Sequence, residues 1–307
     1  MMLNMVKKKS SYIPLKINSS SLKDASLARY NTLISFYNNH PLSFVEFNGY
    51  HLDYIAAGSG NQSILIFHGA SGNAYTTYEI ISKYESQYRV IAPSITQFTS
   101  IDDLCDGINF ILDREKVGNV IIRSGSFGSM VAQAYFHRNT SRVDGIILAN
   151  SYPPKTEWNK SYKQMVVLLK ILPEKIIRKV VARKLLKYFE NVPENLTPDQ
   201  REQFSFMKAY YVELFKQVPK SVIVCQSLLT KLWNYKDSAI TRDYSNWNGK
   251  ALIFMSANDS GYPYLKEFAA PFIDPHIHVF KNEGHLVSFT QEAEYDGIID
   301  EFLKSLV

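Results

Sequence analysis

The sequence predicts an α/β protein whose largely parallel sheet is interrupted late in the chain by a helical insertion. Apolar runs recur at 63–67, 89–92, 119–122, 145–149 and 251–255, with a more alternating run at 277–280. Buried parallel strands take this form because helices cover both of their faces. Helical periodicity fills the spans 74–84, 101–115, 127–137 and 291–306 between them, as crossover connections require. A dinucleotide-binding fold alternates in the same way. The stretch 152–248 is far longer than an ordinary connection of about 4–6 residues, and its own helical patterns mark it as a cap.

Taken in order, residues 1–21 form a basic, serine-rich lead with few periodic apolar residues, for which partial disorder is expected. A short helix is expected through Leu22, Leu27, Tyr30, Leu33, Ile34 and Tyr37, ending at the turn signal Asn38 to Pro41. Phe44 to Phe47 and Tyr50 to Ala57 flank Asn48-Gly49, a pair that readily adopts the positive φ angles of a tight hairpin turn. The expected organisation is a lead and helix over 1–43, a core over 44–151 and 249–307, and the cap over 152–248. Within the cap, Ile176, Ile177, Val180, Val181, Leu185, Leu186 and Phe189 recur as one apolar face. A second helix is expected at Thr197-Pro198, where threonine caps and proline takes the first helical position, and a third near Pro219.

With 307 residues the chain is long enough to bury about 75% of its unfolded surface, and 46% of its residues are hydrophobic. No apolar run approaches the roughly 20 residues of a membrane-spanning helix. The start carries lysines without a continuous apolar segment, so no secretory signal is read there and the expectation is a cytoplasmic protein. Cys105 and Cys225 are expected to be two separate reduced thiols. A net charge of +5 is modest, and the positives follow no motif that would lay them along a nucleic-acid groove. No dinucleotide or phosphate-loop glycine pattern occurs, and His276 and His278, on one side of a strand, have no cluster of metal ligands around them. No cofactor and no metal are expected.

The chemistry concentrates at Val120 to Ala132, where a strand runs into Ser124-Gly125-Ser126-Phe127-Gly128 and then into a helix. Small neighbours permit the sharp turn that lifts a serine oxygen above the end of a sheet, and Ser126 is central to it. Upstream, His68-Gly69-Ala70-Ser71-Gly72 follows another strand, and the N–H groups of Ala70 and Phe127 are the expected oxyanion hole. His68 is expected to hold that turn. Past the cap, Asp259 ends one strand region and His285 follows the next, so serine, acid and histidine occur in the order Ser126, Asp259, His285. A histidine there can accept the serine proton while the acid fixes its tautomer. Asp243 is the alternative acid.

From 44 to 306 these features resemble the α/β-hydrolase superfamily, through HGASG at 68–72, SGSFG at 124–128, the strand end at Asp259 and EGH at 283–285. Ser124 stands where that family's usual pentapeptide has glycine. The resemblance implies an eight-stranded, mostly parallel sheet, a cap inserted after the sixth strand, and serine-dependent cleavage of a carboxylic ester or related acyl bond. Amides, lactones, thioesters and some carbon–carbon bonds remain open. The segment 91–98 is shorter than the usual loop of lidded members, and serine rather than aspartate as nucleophile disfavours epoxide hydrolases and dehalogenases. A finer resemblance, to maspardin-like proteins, lies in Ser100 to Gly107 and Leu148 to Tyr152. That branch includes non-catalytic adaptors, so a binding protein is the alternative; His285 favours an enzyme.

The cap's aromatic residues suggest an apolar access route for a small acyl or aromatic ester, with Phe127, Tyr152 and Met207 nominated as pocket lining. Lys175, Arg178, Lys179, Arg183, Lys184 and Lys187 border the cap's apolar helix. Such a face suits either a solvated cap surface or transient contact with an anionic membrane surface. Oligomeric state is left open by the sequence.

Overall fold

A computed structural model describes residues 15–190, 196–236 and 243–306. Its centre is one eight-stranded sheet in the order β1-β2-β4-β3-β5-β6-β7-β8. The strands are β1 (Ser43–Phe47), β2 (Tyr50–Ala57), β3 (Ser63–Phe67), β4 (Arg89–Pro93), β5 (Val120–Gly125), β6 (Val143–Ala149), β7 (Lys250–Ser256) and β8 (His276–Phe280). β1 and β2 form the expected hairpin, with Asn48 at φ 46° and Gly49 at φ 78° in the turn, and β2 runs antiparallel to β4. All later pairings are parallel, so the ends of β3, β5, β6, β7 and β8 open on one side of the sheet.

The N-terminal helix is two helices, α1 (Ser20–Ala25) and α2 (Leu27–Asn39), because Ser26 is extended and its hydroxyl accepts from the Arg29 N–H to cap α2. The lead before residue 15 lies outside the described residues, but its last part is ordered: Ile17 is fully buried and its N–H donates to the Tyr37 hydroxyl. The partial disorder expected over 1–21 therefore does not extend to residues 15–21, since Ile17 and Leu22 supply the apolar contacts that offset ordering. Next come α3 (Tyr78–Tyr84), α4 (Ile101–Arg114) and α5 (Phe127–Arg138), which pack on the sheet. Gly107 of α4 meets the Phe98 ring, where an added Cβ would approach within 2.8 Å.

Between β6 and β7 stand α6 (Asn159–Ile171), α7 (Glu174–Leu186), α8 (Pro198–Gln217) and α9 (Lys220–Lys236). α8 starts as read from sequence: Thr197 Oγ1 accepts from the Gln200 N–H, the Gln200 side chain accepts from the Thr197 N–H, and Pro198 is the first helical residue. The cap helices share the main core. Cys225, Leu229 and Trp233 of α9 pack into one face of the sheet, while Phe204, Tyr210 and Leu214 of α8 join the other cluster with α1 and α2. Two hydrogen bonds latch α9 to the loops at the strand ends: Gln226 accepts from the Ser71 N–H and donates to the Ile95 carbonyl. The short segment after β4 is thereby packed beneath α9, with Ile95 and Phe98 buried, and is not part of the cavity wall.

α7 departs from its expected face. Ile177 is buried and Val181, Leu185 and Leu186 are half-buried, but Ile176 is 47% and Val180 is 60% exposed. The seven apolar positions wrap more of the helix than one packing face can cover, so only part of the stripe meets α8 and α9. The chain closes with α10 (Leu265–Ala269), α11 (Val287–Thr290) and α12 (Glu292–Lys304). Among the described residues no helix is long and apolar enough to cross a membrane. Both cysteines are buried and neither is in a disulfide.

Candidate active site

β5 ends at Gly125, and the chain turns so sharply into α5 that Ser126 takes φ 54°, ψ −123°. A side chain is strained in that region, and the strain is sustained by the packing around it. The Ser126 N–H donates to the Ala149 carbonyl at 2.9 Å, pinning the turn to the neighbouring strand end. Ser124 turns down into the core, where its hydroxyl donates to the Ile147 carbonyl and meets the Ser129 hydroxyl. A serine is accommodated at that position because a polar strand end lies beneath it. Gly128 faces the β3 end so closely that a Cβ there would lie 2.3 Å from the Phe67 carbonyl oxygen.

The three residues picked out in sequence converge. His285 Nε2 is 2.9 Å from Ser126 Oγ, and His285 Nδ1 is 2.5 Å from Asp259 Oδ2. Burial opposes ionisation of Asp259, but the His285 hydrogen bond and charge and the Gly261 N–H outweigh it and hold the carboxyl below its ordinary range. An ionised carboxylate only accepts, so Nδ1 carries the hydrogen and donates to Asp259, leaving Nε2 to accept from the Ser126 hydroxyl. Asp243 is far from this geometry in role: it is exposed and accepts from the Ser245 N–H.

The histidine loop is held from two sides. Asn150, at φ 45° just past β6, donates from Nδ2 to the His285 carbonyl at 2.9 Å. The Ser256 hydroxyl accepts from the N–H groups of Glu283 and Gly284 and donates to Asn258 Oδ1. On the open side, the Tyr188 ring stacks on His285 with centroids 4.3 Å apart and planes 20° from parallel. Tyr188 and Asn150 are site residues that sequence reasoning missed. Asn150 lay within a quoted segment, but nothing local signalled its reach to residue 285, and Tyr188 arrives from the cap.

His68 holds its turn as expected. It donates from Nδ1 to the Gly69 carbonyl and accepts the Ile95 N–H at Nε2, and burial pushes its pKa down to about 4, so it stays neutral. The N–H groups of Ala70 and Phe127 make no hydrogen bond among the described residues. Ala70 lines the same cavity as Ser126 and His285.

That cavity has a volume of about 280 Å³, just below the roughly 300–1,000 Å³ of ligand sites. Leu185, Phe189, Met207, Tyr211, Phe215 and Phe289 give it an apolar wall, and Glu79, Lys83, Arg123 and Asp296 line a polar part. Met207 is where the sequence placed it. Tyr152 is not: its ring packs against Trp158 and Trp233 and its hydroxyl meets that of Tyr162, so it supports the base of the cap. Phe127 likewise faces the His68 ring and the core and lies outside the cavity lining. Among the described residues no group of histidine, cysteine and carboxylate side chains could hold a metal ion, and His278 instead pairs with Glu294.

Comparison with known proteins agrees with this architecture. Residues 62–289 match the family model described as alpha/beta hydrolase fold. An uncharacterized hydrolase of Saccharomyces cerevisiae is 26% identical over 138 residues, which cover 38% of this chain and 48% of the yeast protein. The chain thus spans about half the length of that curated relative. A hydrolase from Pseudomonas aeruginosa superposes with a TM-score of 0.70 at 12% identity, covering 86% of this chain and 98% of the other. A thermophilic esterase from Thermogutta terrifontis gives 0.65 at 15%, covering 86% and 97%. An epoxide hydrolase from Vigna radiata gives 0.65 at 15%, covering 87% and 99%. Likeness at these identities speaks for the fold, which hosts more than one chemistry.

Proposed function

Because this chain belongs to the α/β-hydrolase family, we propose that it is a serine hydrolase that cleaves a small carboxylic ester, or a related acyl bond, through an acyl-enzyme. The observation that carries the proposal is the continuous hydrogen-bonded line from Ser126 Oγ through His285 to Asp259 at the edge of an apolar cavity.

In this reading Ser126 Oγ attacks the acyl carbon while His285 Nε2 takes the hydroxyl proton, and Asp259 stabilises the imidazolium without taking the proton itself. The carbonyl oxygen becomes an alkoxide that accepts from the unpaired N–H groups of Ala70 and Phe127. Collapse breaks the ester bond, and the departing alcohol leaves with the proton from His285. Water then attacks the acyl-serine, giving a proton to His285, which returns it to Ser126 as the carboxylic acid leaves. A cavity of about 280 Å³ with an apolar wall suits a short acyl chain or aromatic ring. Two of the similar proteins, an esterase and an epoxide hydrolase, differ in what they cleave. A serine at the nucleophile position favours the acyl reaction here.

The test is mass spectrometry of the intact protein during turnover of a short p-nitrophenyl ester. Mass gain at Ser126 followed by return of the free protein, absent from Ser126→Ala, supports the proposal. An unmodified, inactive wild-type protein counts against it and favours the non-catalytic adaptor role that goes with the maspardin-like resemblance. We also assign the protein to the cytoplasm, a proposal that fractionation tests directly.

A further inference from the structure

The cap segment that runs from α6 to the end of α7 holds an unusual concentration of charge. From 159 to 187 there are nine lysine and arginine residues against one carboxylate, a net +8 in a chain whose total is +5. The remainder of the protein is therefore net negative, so the positive charge is local. The one acid, Glu174, is engaged by Arg178 at 2.5 Å, and Arg178 also donates to the Val218 and Lys216 carbonyls. Lys163, Lys170, Lys175, Lys179, Arg183 and Lys184 are exposed and have no ion-pair partner among the described residues.

The same two helices expose apolar side chains. Val167, Leu168 and Ile171 of α6 are 52%, 54% and 74% exposed, and Ile176 and Val180 of α7 follow after a two-residue connection. Their inner neighbours Leu169 and Ile177 are buried in a cluster with Val218, Val222 and Ile223 of the α8–α9 region, so the outward residues are surplus to packing the cap. A solvated cap face needs lysines but gains nothing from an exposed Ile171.

We propose that this face docks on an anionic lipid bilayer, with Val167, Leu168, Ile171, Ile176 and Val180 entering the headgroup boundary and the lysines meeting lipid phosphates and carboxylates. Exposed apolar side chains interspersed along this segment with cations, its one carboxylate paired with Arg178, match that surface in both charge and polarity. The location ties the docking to the site. Leu185, in the last turn of α7, lines the cavity, and Tyr188, three residues on, stacks on His285. A bilayer against the outer face of α7 therefore lies against the helix whose last turn lines the cavity, and the substrate it delivers is an amphiphilic ester. Only that last statement rests on the hydrolase reading.

The docking is tested with full-length Ser126→Ala protein, so that catalysis plays no part, by flotation with phosphatidylcholine vesicles and with equimolar phosphatidylcholine–phosphatidylserine vesicles. Binding to the anionic vesicles alone, weakened by salt, is expected. Each cation removed should weaken it about fivefold, so Lys175→Gln, Lys179→Gln and Arg183→Gln together should cost about 100-fold. Val167→Ser with Leu168→Ser and Ile171→Ser should abolish the binding that survives raised salt. No flotation, equal flotation with neutral vesicles, or unchanged binding of the glutamine variant would overturn the proposal. So would a dimer in sedimentation that dissociates on Ile171→Ser, because a second copy would then cover the face.

Discussion

Replacing Gly128 by alanine tests how tightly the nucleophile turn is built. The added Cβ would lie 2.3 Å from the Phe67 carbonyl oxygen and 2.8 Å from that of His68. A carbon–oxygen contact is ordinarily about 3.3 Å or more, so α5 must retreat from the end of β3 by about 1 Å. Both obstructing atoms are backbone and cannot swing away. The retreat carries Ser126 and the Phe127 N–H away from the loop that bears Ala70, pulling apart the two halves of the proposed oxyanion hole. It also stretches the 2.9 Å contact between Ser126 and His285. Overpacking of this kind costs about 1–3 kcal/mol of stability, and misplacement by about 1 Å costs about 100-fold in rate. Urea unfolding gives the first quantity, and kcat on a short p-nitrophenyl ester gives the second. A Gly128→Ala protein with wild-type kcat and stability would show that the turn yields freely and that the reasoning is wrong.

Asp259→Asn should fold normally and lose about 10⁴-fold in kcat, because an amide can offer its N–H to Nδ1 and stabilise the wrong tautomer of His285; comparable kcat would place the orienting acid elsewhere. Asn150→Gly keeps the positive φ while removing the hydrogen bond to the His285 carbonyl, and should lower kcat about fivefold with KM unchanged, since one such bond contributes about 1 kcal/mol. A rise in KM alone would instead assign Asn150 to substrate binding. Two buried groups should give opposing pH dependences of stability. Burial raises Asp53 from 3.8 to about 6, so the folded protein holds that proton more tightly and the group's contribution falls as pH rises through this window. Burial lowers His68 from 6.5 to about 4, so its contribution is lost as pH falls through nearly the same window. Each amounts to about 3 kcal/mol. Asp53→Asn removes one side of the balance, and its stability relative to wild type should grow by about that amount between pH of about 4 and 6.5 in urea titrations. Parallel curves would mean that Asp53 titrates as an ordinary carboxylate.

The amino-acid pattern alone determined what depends on near neighbours. Continuous apolar runs require cover on both faces, which makes β3 to β7 buried parallel strands, and Asn48-Gly49 closes the first hairpin because both residues tolerate positive φ. The glycines around Ser126 allow the turn, and strand ends followed by Asp259 and His285 bring the acid and histidine to the same edge of the sheet. Even the helix start at Thr197-Pro198 is a matter of four consecutive residues, 197–200. What tertiary structure decided is reach and side. The hydrogen bond from Asn150 to residue 285 crosses 135 positions, and the stack of Tyr188 on His285 depends on how α7 lies over the sheet. Tyr152, an apolar aromatic at the entry to the cap, has the composition of pocket lining, yet Trp158 and Trp233 enclose it. Along α7 the periodicity counts apolar residues but not the partners waiting for them: α8 and α9 cover Ile177 and leave Ile176 and Val180 outside. Helical phase assigns residues to a side of a helix, and only the packing of neighbouring helices decides how wide a side is buried.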